Sequence, residues 1–226
     1  MLAALLAGGG VLAVLLTRGE KKTASSTSQS VITSTQVTTT QKPSGSAAFS
    51  KPAGLFSEKT TDKGSALFDG SSLVIESTKP NSPVLDLASG NYDDVRISVD
   101  VRGAPGSNDY GASVICRHQT EGDYYLLAIA SGSRYNVVRY TGGRPRSLTG
   151  GFQTSSAVKP SSQTNRLVVT CTGAASTQLT LDVNGTRVAD VTNEPGIGDG
   201  EVGLRAGTLT PPVKVRFSNF RLSRLS

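Results

Sequence analysis

With 226 residues, 25 glycines, no tryptophan and 36% hydrophobic content, the chain has the texture of many short strands broken by turns, which excludes a helical bundle. Its formal charge of +6 is shared evenly, since residues 1–50 carry four Lys or Arg against one Glu, and the remainder nineteen against sixteen acids. The basic residues of that remainder stand singly along candidate strands, with Arg144 and Arg146 the nearest to a cluster, so the concentrated, aromatic-interleaved patch of a nucleic-acid binder is missing and no nucleic-acid partner is expected.

Met1–Leu16 is an uninterrupted apolar run followed by Arg18, Lys21 and Lys22. Sixteen helical residues reach about 24 Å, short of a hydrocarbon core of about 30 Å. A signal peptide would carry a basic n-region and a small-residue exit, and Leu15-Leu16-Thr17-Arg18 supplies neither. We therefore expect a transmembrane or signal-anchor segment over residues 1–17, although the basic residues after the run oppose that orientation under the positive-inside rule. A chain that continues a longer protein, with the rest of the helix and its basic flank upstream, would remove that conflict. No cysteine follows the run, which excludes a lipoprotein anchor.

In Thr23–Ala48, 14 of 26 residues are Ser or Thr and none is aromatic. Such a stretch cannot bury enough surface to offset its ordering entropy, so residues 18–48 are expected to be a disordered linker.

From Phe49 to the C-terminus the texture becomes one of alternating patterns bounded by Gly, Pro, Asn and Asp. Eleven strands are predicted: 72–76, 83–87, 95–102, 110–117, 124–130, 135–140, 166–171, 178–183, 186–191, 201–206 and 213–222. That spacing points to an all-β sandwich or barrel over residues 49–226. Its centre is the run Tyr110–Tyr140, a three-strand meander with Gly-bearing turns at 119–123 and 131–134. Val95, Ile97, Val99 and Val101 alternate with polar residues, which describes a half-buried strand. Leu179, Leu181 and Val183 do the same ahead of Asn184-Gly185, a strong type I′ hairpin signal. Asn184-Gly185-Thr186 is also a glycosylation sequon, but the turn suffices to explain it.

The succession YDDVRISVDVR, YGASVICR, DYYLLAI, NRLVVTCTG, LTLDVNGTRVADV, GEVGLRAG and VKVRFSNFRL resembles the concanavalin A-like, laminin G-like jelly-roll superfamily over about residues 54–224. It is most similar to bacterial 3-keto-disaccharide hydrolase-like domains. The glycine-bearing strand Val202-Gly203-Leu204 and the aromatic-Asx-aromatic strand Phe217-Ser218-Asn219-Phe220 carry the resemblance at its C-terminal end. It implies two antiparallel sheets with a concave face, on which members bind glycans or proteins and some hydrolyse glycosidic bonds. The chain lacks the Glu-x-Asp-x-x-Glu type of strand that such hydrolases use to set two carboxylates about one bond. Asp93, Asp94, Asp109 and Asp199 are the residues that would have to meet for a laminin-type calcium site. No cofactor and no metal are expected; two Cys and one His cannot complete a zinc site unaided.

Cys116 and Cys171 share strand parity, with apolar residues two and four positions before each. With the apolar segment and the Ser/Thr stretch placing the domain outside the cytoplasm, an intradomain disulfide is expected, two buried free thiols being the alternative. His118 is expected to be a solvated turn residue. For the ligand site, parity sends Ala112, Val114 and Cys116 inward and Arg117 outward, and Tyr125, Leu127 and Ile129 inward with Tyr124 outward. Arg117, Tyr124 and Arg139 are the candidate ligand-binding residues, with Arg117 and Arg139 simply pairing with Asp100 and Asp123 as the plainer alternative.

The expectation is a membrane-anchored, extracytoplasmic, monomeric binding or sensor module for a glycan, a cell-wall component or a protein. An apolar segment, stalk and sensor in this order also suit the ectodomain of a receptor-type Ser/Thr kinase. A carbohydrate-active hydrolase with a diverged site is the alternative.

Overall fold

A computed structural model describes residues 46–48, 54–104, 109–207, 210 and 212–225. Residues 1–17 and all but the last three residues of the expected linker lie outside the described residues. No helix among the described residues is long and apolar enough to cross a membrane.

The described chain is all strand and turn. Its strands are β1 (Ser46–Ala48), β2 (Lys59–Thr61), β3 (Gly64–Asp69), β4 (Ser72–Ser77), β5 (Val84–Tyr92), β6 (Val95–Gly103), β7 (Gly111–Thr120) and β8 (Asp123–Ala130). They continue as β9 (Arg134–Thr141), β10 (Arg144–Ser147), β11 (Gln153–Thr154), β12 (Asn165–Thr172), β13 (Thr177–Val183), β14 (Thr186–Asn193), β15 (Gly200–Gly207) and β16 (Val213–Arg224). One sheet runs β14-β13-β12-β6-β16-β4-β3-β2, with β1 beside β16; the other runs β10-β9-β8-β7-β15-β5, with β11 beside β9. All pairings are antiparallel. This is a two-sheet sandwich, one of the two architectures the alternating patterns allow, with the jelly-roll form that the resemblance implies.

The core lies between the sheets. Val95, Ile97, Val99 and Val101 of β6 are buried there beside Leu167 and Val169 of β12 and Leu179, Leu181 and Val183 of β13. The second sheet contributes Ala112, Val114, Tyr125, Leu127 and Ile129, the residues parity sends inward. Cys116 and Cys171 form the expected disulfide and join β7 to β12, hence one sheet to the other. At Asn184-Gly185 both φ angles are positive, as a type I′ turn requires. The Asn184 side chain is occupied, since its Nδ2 donates to Ala157 O and Asn165 Oδ1 and its Oδ1 accepts from Arg166 N. In Phe217-Ser218-Asn219-Phe220 a bulge with Asn219 at φ 52° turns both phenylalanines inward, and Phe220 meets Phe56 edge-on at 5.1 Å.

One boundary and four strands differ from expectation. The linker was expected to run to Ala48, but Ser46–Ala48 pair with Arg221–Ser223, because the far half of the long strand β16 extends past β4 and leaves an open edge to fill. Four further strands, β2, β3, β10 and β11, were not predicted; β2, β10 and β11 hold too few residues for an alternation to show, and in β3 the run Ala66-Leu67-Phe68 breaks it.

One carboxylate sits inside. Asp86 of β5 is buried beside Leu204, 3.3 Å from Lys59 Nζ, and its Oδ2 has no partner among the described residues. Burial raises its pKa from the ordinary 3.8, outweighing Lys59. A raised folded-state value means the fold holds the proton more tightly than the unfolded chain. The stabilisation is therefore complete below the unfolded pKa and is lost as pH rises through the folded one. Asp86→Asn should accordingly gain thermal stability on the parent between pH 4 and pH 7, the gain growing as pH rises. A constant difference in Tm across that window would show that Asp86 ionises in the fold as it does in water.

Candidate functional site

The face of the second sheet turned away from the core has its own pattern of side-chain size. Across neighbouring strands one row reads Arg205, Ser113, Ala128, Asn136, and the row above it Gly207, Gly111, Ala130, Arg134. Small residues on β7 and β8 thus form a low floor, with long side chains on β15 and β9 rising at either side. The next row, Gly203, Ile115, Leu126 and Val138, packs as a second apolar cluster with Tyr124, Ala128, Leu85 and Tyr140. The result is a groove of about 410 Å³ over β7, β8, β9 and β15, reached also by Asp109, Pro145 and Phe152.

Its polar groups are held in place. Asn136 is buried, and its Oδ1 accepts from Ser147 Oγ and Thr149 Oγ1, both at 2.7 Å. This leaves its Nδ2 donor without an acceptor among the described residues. Arg205 donates to the Tyr140 hydroxyl at 3.4 Å and lies 5.7 Å over its ring; Arg134 donates Nε to Ser131 O at 2.7 Å and lies 5.2 Å over Phe152. Phe152 is one of two large apolar side chains exposed among the described residues, at 53%.

Only one of the three candidate ligand-binding residues reaches this face. Tyr124 does, but buried: it stacks on Tyr140 at 4.5 Å, and burial pushes its hydroxyl up to about 12. It supports the groove end from beneath and does not line it.

Arg117 is corrected outright. A bulge in β7 leaves Cys116 opposite Tyr125 and Thr120 opposite Asp123, and Arg117 takes φ 57°. Cys116 and Arg117 consequently both turn inward. The guanidinium, 1% exposed, bonds Asp94 Oδ1 at 2.9 Å and the carbonyls of Ile197 and Gly173. Opposite the bulge only Gly200 fits, since a Cβ there would lie 2.6 Å from His118 O. His118 inherits the outward place: it is buried against Tyr124, with Nδ1 3.4 Å from Glu201, and is not the solvated turn residue expected.

Arg139 shares a row with Tyr125 and so lies on the core side, at the sandwich rim, where it donates to Pro195 O at 2.6 Å. Tyr125 Oη accepts there from Asn193 Nδ2 and Ile197 N. Arg117 meets Asp94 and not Asp100, which pairs with Arg166. Bonds from Thr120 Oγ1 and Gly142 N hold the Asp123 carboxyl below its ordinary value, and Arg139 lies near enough for its charge to help. The four aspartates weighed for calcium are engaged apart, Asp93 with Arg224, Asp94 with Arg117, Asp109 with Thr210 and Asp199 with Asn91. The groove residues that parity missed, Arg134, Asn136 and Arg205, alternate correctly in their strands; their shared feature is the row of small residues between them, which requires the strand register.

No family model matches the chain, and no curated protein matches it. Solved structures do. The Bacillus licheniformis β-glucanase superposes with a TM-score of 0.58 at 10% identity, over 82% of this chain and 100% of that one. A carbohydrate-binding module from Bacillus subtilis gives 0.53 at 12% identity over 79% and 96%, and a Bacillus subtilis protein with a galectin-like fold gives 0.54 at 11% over 72% and 86%. By sheet order and by these likenesses, the fold of this chain is the concanavalin A-like jelly-roll sandwich.

Proposed function

We propose that the chain is a glycan-binding module working outside the cytoplasm, tethered through its N-terminal segment, with the groove over β7, β8, β9 and β15 as its binding site. The observation that carries this reading is the groove itself: an apolar floor, an exposed aromatic ring at Phe152 and fixed donors at Asn136 and Arg205, the combination that sugar rings and hydroxyls need. The Cys116–Cys171 bridge favours an oxidising compartment. Hydrolysis needs two carboxylates flanking one bond, whereas the lining residues include one acid, Asp109, which accepts from Thr210. Binding is therefore the reading we prefer over catalysis, and a monomeric sensor domain of a receptor-type kinase is one setting that such a module suits.

The test is a glycan array followed by titration of the best ligand with the full chain. Phe152→Ala and Asn136→Ala should each weaken binding about tenfold while leaving Tm nearly unchanged for the exposed Phe152. Full affinity in both variants would place the site off this face.

A further inference from the structure

The groove holds more cations than anions, its one acid, Asp109, accepting from Thr210. Arg134 and Arg205 are both lining residues, and neither forms an ion pair with any carboxylate among the described residues. Elsewhere on the domain Arg166 pairs with Asp100, Arg187 with Asp182, Arg216 with Asp69 and Arg224 with Asp93, while other arginines, Arg144 and Arg146 among them, form no ion pair among the described residues. The two groove arginines instead lie over aromatic rings, Arg205 over Tyr140 and Arg134 over Phe152. A ring holds the planar fork in position, and beyond the bonds of Arg134 Nε to Ser131 O and of Arg205 Nη1 to the Tyr140 hydroxyl the remaining edge donors are unspent among the described residues. Between them the floor carries Ser113 and Asn136, both more than nine-tenths buried. The Ser113 hydroxyl has no hydrogen-bond partner among the described residues, and the Nδ2 of Asn136 has no acceptor among them. The two cations belong to strands three interstrand steps apart, roughly 14 Å at the backbone.

Resting on the glycan reading of this groove, we propose that its ligand is an acidic polysaccharide, one bearing carboxylates on its sugar rings, with Arg205 and Arg134 each receiving a carboxylate and Ser113 and Asn136 meeting hydroxyls between them. Two separated forks fit a charge that repeats along a chain better than one isolated acid, and carboxylate is the planar group a guanidinium meets with two parallel bonds.

Polygalacturonate and its fully methyl-esterified form present the same sugar with and without charge. With the full chain, polygalacturonate should bind about tenfold or more tightly than the ester, and more weakly as salt rises. Arg205→Gln should remove about tenfold of that preference and Arg134→Gln a comparable share, with Arg144→Gln, an exposed arginine outside the groove, as the charge control that changes nothing. Equal binding of acid and ester, or a loss in Arg144→Gln equal to that in Arg205→Gln, overturns the acidic-ligand proposal. The glycan reading survives that result if Phe152→Ala still weakens binding. Failure of every acidic and neutral glycan to bind overturns both.

Discussion

Replacing Cys116 and Cys171 together by alanine should lower the unfolding free energy by about 4 kcal/mol and Tm by roughly 10 °C. The bridge closes a loop with a sequence separation of 55, and releasing that loop returns its closure entropy to the unfolded chain. The effect should be visible in the unfolded state as well as in the midpoint. Without the cross-link the unfolded chain expands and exposes more surface, so the urea m-value should rise while Cm falls. Cys116 and Cys171 are fully buried among Val114, Leu167 and Val169, so packing loss adds to the entropic part, and single Cys→Ser variants should be worse than the double alanine because each buries an unpaired hydroxyl. A loss under about 1 kcal/mol with an unchanged m-value would mean that the bridge does not restrain the unfolded chain.

Arg117→Ala should cost about 3 kcal/mol, at the lower end of the range for one partner of a buried ion pair because Asp94 is itself 39% exposed. The guanidinium binds three separate connections: Asp94 between β5 and β6, Gly173 after β12 and Ile197 before β15. Its removal leaves two carbonyls and a carboxylate facing a cavity. Arg117→Lys should recover only part of the loss, since an ammonium cannot span the three acceptors. Arg117→Gly separates backbone from side chain, because it relieves the positive φ yet keeps the full loss of contacts. Amide exchange at Gly173 N, which donates to Asp94 Oδ1 at 2.8 Å, should quicken in all three. Should Arg117→Ala instead abolish glycan binding at unchanged stability, the outward placement first expected from parity would have been the better guide to its role.

Every strand of seven or more residues was legible because a long alternation has one solution when one face is buried. β6 shows this best: its four β-branched residues are all in the core, and Arg96 and Arg102 are exposed. Tyr125 and the disulfide were legible for the same reason. Arg117 was not, because one extra residue in β7 reverses everything after it, and the requirement that reveals the bulge sits at Gly200, more than eighty positions along the chain. β10, Arg144–Ser147, hides a strand behind a proline and two arginines, tolerable only because it is the last strand of its sheet. The groove was illegible for a further reason. Ser113, Ala128 and Asn136 each look unremarkable in their own strands, and only lateral register lines them up.

The pairing of Ser46–Ala48 with β16 brings the chain into the domain along the nine-stranded sheet, while the groove opens on the outer side of the seven-stranded one. Chain entry and groove are back to back. On the proposed glycan reading, a pull between the chain before Ser46 and a ligand held in the groove would load the sandwich through its thickness, the direction in which side-chain packing, polar contacts such as Asn193–Tyr125 and Lys59–Asp86, and one covalent stitch, Cys116–Cys171, hold the two sheets. Under tension that bond is the strut that keeps the two faces from being peeled apart.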